Sequence, residues 1–240
     1  MLPVFLIESL PDSGEVILDG DEAHHAISVS RVKLGEHLAL TDGRGARAEV
    51  EVIEVRKKSL TARILLREDI PNSEIQLTVL QALTKGDRAR ETVELLTEAG
   101  VNQILPWSAA RSIGQWKDES EAQEKWQLWA REATKQSRRS WIPSVAKLHS
   151  LNDAIESFSH FDLVLLFHEG STEKLSILLN TQQPKNVLII IGPEGGITQE
   201  ESESFIAAGA KIVSMGRPIF RAAHAGAVAL AAVQTGLGIW

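Results

Sequence analysis

Apolar strands that alternate with helices after residue 74 constrain the fold more than any other feature of this sequence. Short apolar runs such as DLVLLF and NVLIII are each followed by a segment with helical periodicity. A parallel sheet covered by helices on both faces has this pattern, because its strands are buried on both sides. The sequence therefore predicts an α/β domain over residues 74–240.

Residues 1–70 have a different pattern, in which short strand-like segments are separated by turn signals such as Asp42-Gly43. One short helix, DEAHHAISVSRV, interrupts the series. Regular short strands without long helices favour a small β-barrel. The segment EDIPNSE, Glu68 to Glu74, is predicted to be a linker between the two domains.

Composition excludes several classes of protein. The 240 residues include no cysteine, so neither disulfides nor thiolate chemistry is expected. A net charge of −7 argues against indiscriminate binding of nucleic acid, although it allows a confined basic patch. The N-terminus does not resemble a signal peptide, and no segment approaches the roughly 20 apolar residues of a membrane span. We therefore expect a cytoplasmic protein without a metal site.

Two loops at the predicted carboxyl ends of strands are candidates for a ligand site. The first, GPEGG, follows Val187–Ile191, and the second, GRPIFR, follows Lys211–Met215. Glycines before a helix often bind phosphate, but Glu194 would repel one and no P-loop motif is present. We expect a neutral or cationic ligand that approaches the glycines closely. A glycine-rich surface turn would have the same composition if the loop stood alone.

The final helix, from about Ala222, begins with small residues at most positions. Such a helix can approach another backbone closely, as an interface or the wall of a ligand pocket requires. An alanine-rich core helix is the simpler alternative.

Several motifs, in the same order, resemble the RsmE family over nearly the whole chain. They are IGPEGG, the G-x-x-I-x-R loop, KGDR…ELLTEAGV, ARSI, REATKQSRRSWIPSV and the N-terminal HHAISVSRVKLGEHLALTDGRG. Members of this family methylate N3 of a uridine in 16S ribosomal RNA with S-adenosylmethionine as the methyl donor. The resemblance implies a SPOUT-type fold, in which a parallel sheet with flanking helices is tied by a C-terminal trefoil knot. It also implies an N-terminal PUA-like β-barrel that binds RNA, and a homodimer.

The resemblance further implies which residues bind the cofactor, whose sulfonium cation suits the acid Glu194. The cofactor-site residues would be Leu166, His168, Gly192, Glu194, Gly196, Met215, Gly216, Ile219 and Arg221.

The reaction requires stabilisation of the uracil anion that forms when N3 loses its proton. Arg221 and Arg111 are the candidates for this role, although Arg111 is equally suited to an RNA-backbone contact. The family usually continues the loop with Thr-Glu-Thr or Thr-Ser-Thr, where this chain has Ala222-Ala223-His224. His224 is therefore a candidate general base, or simply a tolerated substitution at a helix start. The usual Gly-Pro-Arg order is also changed, to Gly216-Arg217-Pro218.

Two groups of basic residues are predicted to contact RNA phosphates. The four positions of the first group fall on one face of a helix predicted to cover about Glu119 to Arg138, and the second group lies in the barrel. A solvated charged face is the alternative for the helix. Trp126, Trp129 and Trp141 are predicted to be core residues, and at least one of His24 and His25 a structural residue. The predicted RNA-contacting residues are Arg131, Lys135, Arg138 and Arg139 in the helix, and Arg31, Lys33, Arg44 and Arg47 in the barrel.

Three functions remain open at this point. The first is uridine-N3 methylation of 16S ribosomal RNA within the small subunit. The second is a non-catalytic RNA-binding or ribosome-assembly factor that retains the fold, for which the Ala222-Ala223-His224 departure is the only support. The third is a nucleotide-phosphate enzyme, which the missing P-loop lysine and Glu194 oppose.

Overall fold

The computed structural model describes residues 2–86, 88–179, 183–216 and 218–240. The chain forms two compact units. The first contains residues 1–72 and the segment Thr134–Ile142, and the second contains Ser73–Ala133 and Pro143–Trp240. The segment Thr134–Ile142 thus packs with the N-terminal strands, whereas the sequence assigned all residues after 74 to one domain. No helix in the described ranges has the length and apolarity needed to cross a membrane.

The first unit is a curled five-stranded sheet in the order β1-β3-β4-β5-β2. Only β1 and β3 pair in parallel, and the other neighbours are antiparallel. Helix α1 (Gly20–His24) continues into a π-helical turn over His25–Val29. The short strand-like segments of residues 1–70 are thus strands in the structure. They are β1 (Val4–Leu6), β2 (Glu15–Leu18), β3 (His37–Thr41), β4 (Ala46–Val55) and β5 (Leu60–Asp69).

Alternation of apolar and polar residues explains why this sheet has one buried face. In β4, Ala46, Ala48, Val50 and Val52 are buried, while the residues between them are partly exposed. Successive side chains of a strand point to opposite faces, so these four residues pack into the core of the unit together with Phe5.

The segment Thr134–Ile142 is held at the turn between β3 and β4. The backbone N–H of Gly45 donates to the carbonyl of Ser140 at 2.9 Å, and Trp141 Nε1 donates to the carbonyl of Ile70 at 2.9 Å. Gly45 has a φ of +108°, and a Cβ atom there would lie 2.7 Å from the Trp141 ring. Trp141 is therefore a packing residue, as predicted. The predicted linker is shorter than expected, because β5 extends to Asp69 and Ile70 is held by Trp141.

The second unit is a six-stranded sheet in the order β11-β9-β10-β6-β7-β8, and all neighbours are parallel. The two-residue strand β8 had no recognisable signal in the sequence. The strands are β6 (Gln76–Ala82), β7 (Gln103–Trp107), β8 (Ser144–Val145), β9 (Leu163–Phe167), β10 (Asn186–Ile191) and β11 (Lys211–Val213). The helices are α2 (Arg88–Glu98), α3 (Glu119–Gln136), α4 (Leu151–Glu156), α5 (Leu175–Leu179), α6 (Gln199–Ala207) and α7 (Ala222–Gly236).

Helices cover both faces of this sheet, as the continuous apolar strands predicted. In β10, Val187 and Ile189 pack into one core, which also contains Leu230 of α7. Leu188 of the same strand packs into a second core, which also contains Phe205 of α6. Trp126 is buried in the first core and Trp129 packs against it, which confirms both as core residues.

Candidate active site

Two loops at the carboxyl ends of parallel strands line a single cavity of about 740 Å³ in the second unit. The loop after β10 contains Gly192 to Gly196, and the loop after β11 leads from Met215 to Arg221, the N-cap of α7. Parallel strands place their carboxyl ends at one edge of the sheet, which is where ligands of α/β proteins bind. A cavity of this volume is within the usual range for sites that bind small molecules.

A capping box fixes the helix that follows the first loop. The Thr198 side chain accepts from the Glu201 backbone N–H, and the Glu201 carboxylate accepts from Thr198. The same carboxylate also accepts from the backbone N–H of Ala110 at 2.7 Å, and Glu201 is only 5% exposed. Glu201 therefore ties the Ala110–Arg111 segment to the start of α6, next to the cavity.

The glycines of the two loops have different structural roles. A Cβ atom on Gly192 would lie 2.5 Å from Cγ1 of Ile197, and one on Gly195 would lie 3.0 Å from Cβ of Arg111. Contacts within the protein therefore require these two glycines. Gly196 and Gly216 have φ values of +73° and +100°, and among the described residues that are not their chain neighbours no atom lies nearer than 4.0 Å to a Cβ built on either. Contacts within the protein thus account for Gly192 and Gly195, which also line the cavity, and close approach of a ligand to these glycines stays a prediction.

The cavity brings together every predicted cofactor residue except one. His168 lines it directly after β9, and its Nδ1 accepts a hydrogen bond from the Gly170 N–H at 3.0 Å. Leu166 is fully buried in the core between the sheet and α6 and does not line the cavity. The predicted residues that do line the cavity are His168, Gly192, Glu194, Gly196, Met215, Gly216, Ile219 and Arg221.

Arg111 and Arg221, the two residues predicted to stabilise an anion, also line the cavity. Arg111 Nη1 donates to the Gly195 carbonyl at 3.2 Å, which holds its side chain against the first loop. Arg221 is exposed at the start of α7. The arrangement can present two guanidinium groups to a developing negative charge.

His224 is not placed where a general base would act. It does not line the cavity, and its Nε2 lies 3.1 Å from the Glu91 carboxylate of α2. Ala222 and Ala225 lie about one helical turn apart on α7 and line the cavity, whereas His224 lies between them in sequence and its side chain contacts Glu91. The small residues of α7 thus form part of the cavity wall, as predicted, but the histidine faces away from the site.

Several residues that line the cavity were not predicted from the sequence. Arg88 begins α2, and the KGDR motif at the end of β6 was the signal that could have identified it. Phe220 is 39% exposed beside Ile219, and Asp87 and Arg217, which flank this region in sequence, lie outside the described residues. The lining residues not predicted are Arg88, Phe167, Glu169, Ile191, Pro193, Ile197, Pro218 and Phe220.

The predicted basic helix face is wrong at its C-terminal end. Helix α3 ends at Gln136, and Arg138 has a left-handed φ of 59°. Arg138 and Arg139 therefore lie beyond the helix, in the segment that packs with the first unit. Burial lowers the pKa of Arg139 to about 10, so its guanidinium is still protonated at neutral pH. Arg131 lies within α3 and is half-buried.

Lys135 is not available as a phosphate contact. Its side chain is 5% exposed, and Nζ lies 2.8 Å from the Glu22 carboxylate within the first unit. The other oxygen of Glu22 accepts from the Leu6 backbone N–H at 3.2 Å. The prediction for Lys135 is therefore corrected: it forms a buried ion pair that anchors the end of α3 to α1.

The four basic residues predicted on the barrel differ in how far they are engaged by the protein. Arg31 and Lys33 are exposed, and within the described ranges their side chains form no ion pair. Arg44 is also exposed, but its Nη2 donates to the Glu8 carbonyl at 2.6 Å, and Arg47 donates to the Arg138 carbonyl at 3.3 Å.

The histidines of the first unit are partly structural. His25 packs edge-to-face on Phe5, with ring centroids 5.6 Å apart, which confirms the prediction for at least one of the pair. His24 contacts Ser28 through Nδ1 at 3.3 Å and is exposed.

Two family models match this chain. The RNA methyltransferase domain matches residues 71–234, and the RNA methyltransferase PUA domain matches residues 18–65. The second unit accordingly has the SPOUT type of α/β fold, and the curled N-terminal sheet corresponds to the PUA domain.

Related proteins share the whole architecture. A ribosomal RNA small subunit methyltransferase E from Mycobacterium bovis is 36% identical over 99% of this chain and 93% of its own length. That of Bacillus subtilis is 28% identical over 90% of this chain and 88% of its own length. The structure of the Neisseria gonorrhoeae enzyme bound to S-adenosyl methionine superposes with a TM-score of 0.87, at 27% identity over 98% of both chains. The chain therefore belongs to the family of ribosomal RNA small subunit methyltransferases E.

Proposed function

We propose that this protein transfers a methyl group from S-adenosylmethionine to N3 of a uridine in 16S ribosomal RNA. The observation that carries the proposal is the cavity formed by the two glycine-containing loops, in a chain whose relatives include a methyltransferase bound to this cofactor. The product would be 3-methyluridine in the small ribosomal subunit.

The residues of the cavity fit the cofactor. Gly196 and Gly216 leave backbone groups open to a ligand, and Met215 and Ile219 offer apolar contacts. The exposed carboxylate of Glu194 complements a sulfonium cation. When bound, S-adenosylmethionine supplies an electrophilic methyl group. His168, Gly192 and Arg221 complete the proposed cofactor site.

The chain's own residues would favour the uracil anion and align the base. Arg111 and Arg221 can donate hydrogen bonds to the two uracil oxygens as N3 loses its proton to solvent water. The N3–methyl bond would then form as the sulfur–methyl bond breaks, with S-adenosylhomocysteine as the leaving group. Correct alignment of N3 can remove roughly 7–11 kcal/mol of the barrier, because orientation is then achieved before reaction. His224 has no part in this scheme.

The first unit is proposed to bind the RNA. Arg31, Lys33, Arg44 and Arg47 offer positive charge on the barrel, and Arg138 and Arg139 belong to the same unit. Arg131, in the second unit, is retained as a further candidate. Phosphate contacts of this kind would orient the RNA without reading its sequence.

Four further features are proposed on family resemblance. They are a homodimer, a trefoil knot in the C-terminal region, action in the cytoplasm on the small ribosomal subunit, and functional domains over residues 1–70 and 74–240. The α7 segment with its small residues is the proposed centre of the dimer interface.

Two binding measurements and one transfer assay test the proposal. Calorimetry should detect S-adenosylmethionine binding that ATP does not displace. Labelled methyl groups should then appear on small subunits that lack the modification. Absence of both binding and transfer would contradict the proposal and favour a non-catalytic RNA-binding factor. Displacement of the cofactor by ATP would favour a nucleotide-phosphate enzyme.

A further inference from the structure

The cavity contains more positive charge than its proposed cofactor requires. Its described lining includes three arginines, Arg88, Arg111 and Arg221, and two acids, Glu169 and Glu194. S-adenosylmethionine itself has a net positive charge, since its sulfonium and ammonium groups outnumber its single carboxylate. An excess of arginine beside a cationic ligand indicates that a second, anionic ligand shares the cavity.

Of these three arginines, Arg88 is the one that has no role in the proposed reaction. It is the first residue of α2, and its backbone N–H donates to the Lys85 carbonyl at 3.2 Å. The Lys85 N–H in turn lies 3.5 Å from Oε1 of Glu194, so this turn adjoins the first loop of the cavity. The Arg88 side chain is exposed and forms no hydrogen bond or ion pair with the residues that the structure describes.

Arg90, two residues later on the same helix, has a structural partner. Its Nε donates to the Glu94 carboxylate at 2.7 Å, one helical turn away, and it does not line the cavity. This hydrogen bond raises the pKa of Arg90. The two arginines therefore carry the same charge on the same helical turn, but only Arg88 faces the ligand site.

We propose that Arg88 binds a backbone phosphate of the nucleotide that is methylated, and so contributes to the affinity for the substrate RNA. This inference rests on the proposed function. N3 is on the pairing edge of uracil, so the base must leave its stack and enter the cavity for the reaction to occur. The ribose and phosphate then remain outside the stack of bases, and Arg88, which is exposed and lines the cavity, is available to them. The planar fork of arginine matches two phosphate oxygens.

Paired substitutions test the inference, because Arg88→Gln and Arg90→Gln remove the same charge from the same turn. The dissociation constant for small subunits lacking the modification would be measured for both variants across a range of salt concentrations. Arg88→Gln should weaken binding about tenfold, the lower end for a charge-assisted hydrogen bond. It should also reduce the slope of log affinity against log salt by about 0.7, the value for one phosphate contact on single-stranded RNA. Arg90→Gln should leave both quantities unchanged.

Kinetics separate a phosphate contact from the other roles. A phosphate contact acts equally in the ground state and the transition state, so Arg88→Gln should raise KM and leave kcat unchanged. Arg88→Lys should retain the salt slope and recover part of the affinity, because the charge remains and the fork is lost. The affinity for S-adenosylmethionine should not change in any of the three variants.

Equal affinities and equal salt slopes for Arg88→Gln and Arg90→Gln would overturn the inference. A lower kcat with an unchanged KM would also overturn it, since Arg88 would then act on the uracil anion. Weaker cofactor binding would assign Arg88 to the cofactor site instead and reject the phosphate contact. Failure of the unsubstituted protein to methylate the subunit would overturn the proposed function, and is distinguishable from all of these results.

Discussion

Gly209 and Gly216 have nearly the same backbone conformation, yet only one of them lines the cavity. Their φ values are +108° and +100°, and a Cβ atom on either would meet nothing within 4 Å. Gly209 ends α6, where its N–H donates to the Ile206 carbonyl. The pair therefore separates the cost of a strained backbone from the loss of a ligand contact.

Gly216→Ala should weaken S-adenosylmethionine binding about five- to thirtyfold. An alanine in this conformation has a strain energy of about 1–2 kcal/mol. The free loop can relieve the strain by moving, but cofactor binding would require the loop to return to the strained conformation. Gly209→Ala should destabilise the fold by a similar free energy, and so lower the melting temperature, without changing the affinity for the cofactor. Calorimetric titration and thermal unfolding measure the two quantities. Equal cofactor affinity in both variants would reject the loop assignment.

His224→Ala should leave the pH dependence of methyl transfer unchanged. The imidazole contacts Glu91 and does not reach the cavity, so its removal eliminates an exposed contact worth less than about 1 kcal/mol. Transfer rates measured from about pH 6 to about pH 9, a range that begins near the ordinary histidine pKa of roughly 6.5, test this expectation. Loss of one limb of the pH profile would restore His224 as a candidate base.

At the scale of secondary-structure elements, capping boxes begin both α4 and α6, but only that of α6 is tied to the cavity. The buried carboxylate of Glu201 accepts hydrogen bonds from the backbone N–H groups of Thr198 and Ala110. Asp153 satisfies Ser150 at the exposed start of α4, and these hydrogen bonds lower the pKa of its carboxyl group. The two boxes have the same chemistry and differ in burial and in what they hold.

Glu201→Ala should destabilise the protein by about 2 kcal/mol, because it removes a helix cap and leaves the Ala110 N–H without its partner. It should also reduce methyl transfer, since Arg111 follows Ala110 in the cavity wall. Asp153→Ala should destabilise the protein less and leave transfer unchanged. Chemical denaturation and transfer assays of both variants provide the test, and identical effects would contradict the link between Glu201 and the site.

The Lys135–Glu22 ion pair links the end of α3 to α1 within the first unit. Removing one partner leaves a buried charge, so Lys135→Met should cost about 3 kcal/mol, while Lys135→Met with Glu22→Gln should be closer to the original stability. Urea denaturation of the single and double variants measures this coupling. If Lys135→Met weakened RNA binding without loss of stability, the predicted phosphate contact would be reinstated.

At the scale of the whole molecule, periodicity predicted most of the architecture. Buried strands such as β9 and β10 are recognisable by their continuous apolar runs, and the end of α2 by Gly100, which follows it with a φ of +93°. Both are local features of the sequence. The end of α3 was not predictable, because Arg138 adopts a left-handed conformation that its sequence does not indicate. The short strand β8 likewise depends on its pairing with β7, in which Gln103, 41 residues earlier in the chain, lies opposite Ser144.

The candidate site was predictable in its loops and less so in its side-chain directions. Glycines and the family motif located both loops, but Leu166 lies one strand position from residues that reach the cavity and points into the core. His224 faces Glu91 because α7 packs against α2, a contact between distant parts of the chain. Side-chain direction in such cases depends on tertiary packing, which a local motif does not encode.

The identity of the modified nucleoside is the most direct test of uridine-N3 methylation by this protein. Small subunits lacking the modification would be incubated with the protein and S-adenosylmethionine, and their RNA digested and analysed by nucleoside mass spectrometry. We expect 3-methyluridine, formed by the unsubstituted protein and absent when the cofactor is omitted. Methylation of another base, or no methylated nucleoside despite measured cofactor binding, would contradict it.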